Sequence, residues 1–210
     1  MPYLQALILR IPGLVAGFAF HEYAHALVAD RLGDPTPRMY GRLTLEPWVH
    51  MDPFGTLALL FFGFGWARPV PINPYNFRRV RDGVIKVSIA GPLMNILVAG
   101  VFAVFMRLAA YIGGMSLLYD IMQSGFIVNA GLAVFNLFPI PPLDGSKVLA
   151  GILPREAASV FEQAERYGPL FLVLILSTGV LNGLLWGLTK LLMSGLYGWA
   201  RAITWFLPVR

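Results

Sequence analysis

Polar and apolar positions along this chain fall into long blocks rather than into the short periods of soluble helices and strands. Residues 4–30 are apolar for most of their length, with Arg10 early and His21, Glu22, His25 and Asp30 near the far end, and Gly33 and Pro35 then supply a helix stop. Residues 34–53 carry Pro35, Pro37, Gly41, Pro47 and Pro53 around an alternating patch at 41–46, which predicts a short strand or hairpin. Residues 54–67 are apolar but too short for a comfortable span, so a re-entrant or interfacial segment is expected. Residues 68–82 mix proline and arginine without a helical period and read as a loop at a membrane surface. Further helices are expected at about 83–111, 124–138 and 169–193, followed by an interfacial tail at 196–206 containing Trp199, Arg201 and Trp205. The pattern predicts an all-α multi-pass membrane protein with about four transmembrane helices. One integral-membrane domain spans residues 1–210, with its core at about 4–151 and a C-terminal helix and tail at 167–210.

Composition agrees with this pattern. Apolar and aromatic residues make up 57% of the 210 positions and charged residues only 13%, about half the charged share of a soluble domain. A net charge of +5 could suggest nucleic acid, but the basic residues sit in loops between apolar blocks, where they report topology. If the chain end before the first helix is outside, Arg31, Arg38, Arg42, Arg68, Arg78, Arg79, Arg81, Lys86, Lys147, Arg155 and Arg166 share the cytoplasmic side, provided 54–67 does not cross. There is no cysteine, so a metal could be held only by His, Asp or Glu. The first apolar stretch has its arginine inside and ionisable groups where a small-residue cleavage site would lie, and it is retained as mature protein.

His21-Glu22-Tyr23-Ala24-His25 fits H-E-x-x-H. On a helix, residues four apart share a face, so both imidazoles can reach one ion, with Glu22 beside them as a base. Three ionisable groups in one membrane helix are costly unless they pair or line a wet cavity. A catalytic zinc needs a third protein ligand and an open fourth position. Asp144 is the carboxylate that closely follows an intramembrane stretch, at the end of the proline-broken run 136–145. Irregular backbone at that depth requires protein or a water-filled cavity around it. Asn136 and Asn95 are added as intramembrane amides able to donate to a peptide carbonyl or an oxyanion, the alternative being helix–helix hydrogen bonding. His50 reads as a hydrogen-bonding loop residue. Gly13 and Gly17, and Gly179, Gly183 and Gly187, form small-residue faces suited to close packing. Phe61, Phe62, Phe64 and Trp66 read as lipid-facing.

Together, H-E-Y-A-H, A-G-P-L-M-N at 90–95 and N-L-F-P-I-P-P-L-D-G at 136–145 resemble the site-2 protease family of intramembrane metalloproteases. The loop motifs at 41–47, 50–56 and 64–74 resemble its compact prokaryotic branch, which lacks an inserted peptide-binding domain; the likeness covers about residues 18–151. Glu46 stands where the family commonly has asparagine, and the apolar segment after Asp52 is shorter than usual. The resemblance implies one zinc ion per chain on His21, His25 and Asp144, Glu22 as general base and acid, and a three-helix core in a prokaryotic inner membrane with the site nearer the cytoplasm. It also implies an endopeptidase acting on transmembrane segments of membrane proteins, with lipid as the other partner and an oligomer not indicated. The competing class is a membrane zinc transporter or sensor using the same ligands. A transporter is expected to spread carboxylates along a path, whereas this chain gathers its ligands at one level.

Overall fold

The computed structural model describes residues 2–55, 58 and 65–207. Three helices are long and apolar enough to cross a membrane: α1 (Pro2–Arg31), α2 (Val80–Ile112) and α3 (Ser116–Asn136). At about 1.5 Å per residue α2 reaches about 50 Å, beyond an about 30 Å hydrocarbon core, which leaves its charged first turns at a surface. Pro12 and Pro92 lie inside helices, as intramembrane helices tolerate where neighbours satisfy the freed carbonyls.

These three helices pack through small residues. A Cβ on Gly13 of α1 would sit 2.5 Å from Gly125 Cα of α3, and one on Gly17 would sit 2.8 Å from the Asn129 side chain. The first predicted glycine face therefore brings α1 against α3 as expected. Beside it, Ala99, Ala103 and Met106 of α2 pack with Phe126 and Ala130 of α3 and with Ala200. Close alanine and glycine contacts hold helices together where lipid removes most of the hydrophobic drive.

After α3 the chain breaks at its prolines and restarts as α4 (Asp144–Ile152), then α5 (Arg155–Glu165). The end of the chain forms α6 (Gly168–Thr178) and α7 (Asn182–Ile203). The connection from α1 to α2 starts and ends at the same end of the bundle. Asp34, just past α1, accepts hydrogen bonds from Asn73 N and Asn76 Nδ2, and Phe77 packs on Ala29 and Val87.

Several expectations need correction. No strand or hairpin forms at 41–46; among the described residues the only β pairing is an isolated bridge between Met51 and Ala67. The alternation fails to make a strand because Arg42 turns inward onto backbone carbonyls and Thr44 forms a local turn with Glu46 N. The third helix begins at Ser116 rather than 124, directly after Gly113 and Gly114 reverse the chain with φ of 70° and 67°. The helix expected at 169–193 is two helices bent by 91°, with left-handed Gly179 (φ 68°) closing the first. Among the described residues nothing lies within 4 Å of a Cβ built on Gly183 or Gly187, so that glycine face makes no close helix contact there. Of the re-entrant segment expected at 54–67, residues 56, 57 and 59–64, including Phe61, Phe62 and Phe64, lie outside the described residues.

Candidate metal centre

His21, Glu22 and His25 lie on the last third of α1, all buried. A single helical turn puts the two imidazole Nε2 atoms 3.0 Å apart. Asp144 reaches them from the first turn of α4, its Oδ2 standing 3.2 Å from each Nε2. The return of the chain that brings Asp144 there depends on Gly145: a Cβ at that position would meet the Leu137 carbonyl at 2.1 Å. The bend in the backbone is thus set by the residue next to the carboxylate.

Hydrogen-bond partners fix the chemistry of the two rings. His25 Nδ1 lies 2.7 Å from the Val87 carbonyl, which can only accept, so Nδ1 carries the hydrogen and Nε2 keeps its lone pair. His21 Nδ1 lies 2.6 Å from Asn95 Oδ1, and the same tautomer follows. Two lone pairs then face each other at 3.0 Å, and Asp144 Oδ2 is buried beside them with no hydrogen donor among the described residues. Three acceptors crowded without a proton donor are the donor set of a cation. Zinc at about 2.0 to 2.1 Å from each of three ligands would separate them by roughly 3.3 Å in a tetrahedron, close to the spacing found.

Gly91 of α2 forms the wall of this cradle. A Cβ there would lie 2.4 Å from His25 Nε2 and 2.7 Å from His21 Nε2, so any side chain would occupy the place an ion needs. The three residues His21, His25 and Asp144 therefore fit one zinc ion.

Glu22 projects to the side. Its Oε2 accepts one hydrogen bond from Val70 N at 3.1 Å, and Val70 belongs to an extended segment that pairs through Arg68 N with His50 O and through Ala67 with Met51. Arg42 clamps that segment. Its guanidinium donates to the carbonyls of Val49 (2.5 Å), Arg68 and Pro69 (3.1 Å). Burial disfavours the Arg42 charge, and the nearby Glu22 carboxylate favours it.

The remaining sequence candidates are placed as follows. Asn95 is fully buried among α1, α2 and α3, its amide donating to Gly17 O and Asn129 Oδ1. Asn136, half-buried at the end of α3, donates to Leu132 O of its own helix. His50 is buried in the loop with Nε2 2.8 Å from Thr44 O. Sequence reasoning missed Asn129, Gly91, Val70 and Arg42. Asn129 carried a legible signal, an amide in the middle of the helix that faces the Gly13 and Gly17 stripe.

Similar proteins support the same chemistry. Residues 112–177, which include Asp144, match the family described as Peptidase family M50. The chain is 38% identical over 89% of its length to "Putative zinc metalloprotease YwhC" of Bacillus subtilis, covering 85% of that protein. It is 36% identical over 68% of its length to "Putative zinc metalloprotease MJ0611" of Methanocaldococcus jannaschii, covering 69% of it. It is 31% identical over 87% of its length to "Putative zinc metalloprotease Rip2" of Mycolicibacterium smegmatis, covering 71% of it. No solved structure matches the chain. With a His-His-Asp cradle inside a bundle of apolar helices and relatives of this identity over most of both chains, the protein belongs to peptidase family M50, the site-2 protease family of zinc metalloproteases.

Proposed function

We propose that this zinc metalloprotease is an intramembrane endopeptidase that hydrolyses peptide bonds within or beside transmembrane segments of membrane proteins. The observation that carries the reading is the convergence of His21 Nε2, His25 Nε2 and the donorless Asp144 Oδ2 within 3.2 Å of one another, on helices apolar enough to span a bilayer. In this reading these three residues hold one zinc ion, which supplies a Lewis acid and brings the pKa of a water near neutral. Glu22 takes the proton of the attacking water and later delivers one to the departing amine. Among the described residues its hydrogen bond is on Oε2, from Val70 N, and Oε1 is the oxygen assigned to that proton. The whole chain acts as one membrane domain. The site lies nearer the cytoplasmic side of a prokaryotic inner membrane, because the connections at that end carry most of the lysine and arginine. A transmembrane substrate must unwind locally, since a helical peptide bond is shielded by its own turn.

The test compares Glu22→Gln and Asp144→Asn with the wild type against membrane-spanning peptides in detergent, with zinc measured by elemental analysis. Glu22→Gln should keep its zinc and lose activity by about 10² to 10⁴-fold, the usual share of general acid-base catalysis. Asp144→Asn should lose both, because it removes part of the ligand set. A Glu22→Gln protein cleaving at the wild-type rate, or a wild type that moves zinc across vesicles and cleaves nothing, would overturn the proposal.

A further inference from the structure

Behind the two imidazoles lies a chain of amides that crosses all three long helices. Asn129 of α3 is wholly buried. Its Nδ2 donates to the carbonyls of Gly13 (3.0 Å) and Gly125 (2.9 Å). Both partners are acceptors only, so the orientation of the amide is dictated and Oδ1 must point the other way. There it accepts from Asn95 Nδ2 at 3.2 Å. The second hydrogen of Asn95 Nδ2 goes to Gly17 O at 3.1 Å, again an acceptor only. Asn95 is thereby fixed in turn, and its Oδ1 is presented to His21 Nδ1 at 2.6 Å.

We propose that Asn129 is a positioning residue for the metal site: through Asn95 it locks His21 in the Nδ1–H tautomer that leaves Nε2 free to bind the ion. The inference rests on the reading of His21 as a zinc ligand. Without Asn129 Oδ1, Asn95 keeps only one of the two acceptors for its NH₂ group, Gly17 O, and its amide loses half of the constraint against turning over. A flipped Asn95 would present NH₂ to His21 Nδ1, which selects the Nε2–H tautomer and places a hydrogen where the ion must sit. The three glycines are part of the device. Gly17 leaves room for Asn129 Oδ1, and the close approach of Gly13 to Gly125 lets one amide bond to both helices. Asn129 touches neither substrate nor ion, so its influence runs entirely through Asn95.

The test uses the full-length protein in detergent, with nitrogen-15 in the imidazoles of its three histidines and signals assigned by removing each in turn. Side-chain nitrogen shifts report the tautomer after chelator treatment, and competition with a chromogenic chelator gives the zinc affinity. Wild-type His21 should be in the Nδ1–H form before zinc is returned. Asn129→Leu, with the same branching and number of heavy atoms, should populate the Nε2–H form and weaken zinc binding by about 10 to 100-fold, the usual cost of losing an outer hydrogen-bond partner of a ligand. Asn129→Asp keeps an acceptor oxygen for Asn95 and should restore the Nδ1–H form and most of the affinity. A purely structural role for Asn129 predicts instead that both variants lose stability without changing the tautomer. Wild-type His21 found in the Nε2–H form overturns the proposal whatever the variants do, as does Asn129→Leu with wild-type tautomer and affinity, or Asn129→Asp as defective as Asn129→Leu. His21→Ala separates the two readings. If it keeps full zinc affinity, the metal assignment itself fails; if it loses zinc while Asn129→Leu is unchanged, only the relay fails.

Discussion

On the bundle side of the H-E-x-x-H turn, the two histidines back onto helix α2, and Asn95 and Asn129 spend their amide hydrogens on carbonyls and on one another in a wholly buried interface. On the loop side, Glu22 receives one backbone N–H, from Val70, whose segment is held by the Arg42 guanidinium and by a short pairing with Met51 and His50. The difference matches the tasks proposed for the two sides. A metal ligand works by not moving, and a redundant set of hydrogen bonds, each costing about 1 to 3 kcal/mol to break when buried, keeps it still. A proton carrier must alternate between the attacking water and the leaving group, and one restraint orients it without trapping it. The helical side is therefore the rigid half of the site and the loop side its adjustable half.

The strongest way to break this division is to fill the rigid half. Gly91→Ala places a methyl group within 2.4 Å of His25 Nε2, where the neighbouring atoms are two buried rings rather than a flexible chain end. Zinc content should fall below a tenth of an ion per chain, and proteolysis by at least about 10²-fold, since losing the metal removes the Lewis acid altogether. Elemental analysis of the purified protein and a peptide-cleavage assay check both. Full zinc in Gly91→Ala would mean that the cradle is not where the ion sits.

A smaller effect is expected from loosening the adjustable half. Arg42→Met keeps an unbranched apolar stem and removes the donors to Val49, Arg68 and Pro69. Hydrogen bonds from a charged group contribute about 1.5 to 3 kcal/mol, so activity should fall roughly 10 to 100-fold through misplacement of Val70 and Glu22. Zinc content should stay at the wild-type level. Loss of zinc in Arg42→Met would show that the two halves are mechanically one, and the comparison would have to be abandoned.

The same division explains which features were legible in the sequence. His21, Glu22 and His25 are local in the chain, and helical spacing alone places them on adjoining faces. Asp144 was legible because it closely follows a membrane helix whose end is broken by three prolines. Asn95 was recognised as an intramembrane amide, but its partners lie on other helices, 74 positions away for His21 and 34 for Asn129. No local pattern encodes such contacts. On the loop side almost nothing was legible. The alternation at 41–46 resembles a strand, but Arg42 finds carbonyls to bond and the chain curls around it. The bend at Gly179 was hidden for a related reason: the apolar run continues through it, and hydropathy registers the lipid-facing surface rather than the direction of the helix axis.

The mildest probe acts where the two halves join. Asp34 lies inaccessible between the end of α1 and the loop at 73–76. It accepts from Thr36 Oγ1 (2.5 Å), Thr36 N (3.1 Å), Asn73 N (2.8 Å) and Asn76 Nδ2 (2.7 Å). Burial pushes its pKa up, but the bonds from Thr36, Asn76 and Asn73 outweigh it and hold the pKa below the ordinary carboxylate value of 3.8. A carboxyl group whose pKa is depressed by folding stabilises the native state fully above its unfolded value and loses that stabilisation as pH falls through the folded one. Asp34→Asn removes the charge and one acceptor, and should cost about 1 to 3 kcal/mol of stability at pH 7. Activity should fall less than about tenfold, because Val70 remains held by Arg42 through its neighbours, at a position the Asp34 bonds do not touch directly. Unfolding in detergent, followed at several pH values, should show the gap between wild type and Asp34→Asn narrowing below about pH 4, since the protonated wild type then resembles the amide. A gap that stays constant down to pH 2 would mean that Asp34 acts only by shape, and that the join between the halves does not depend on its charge.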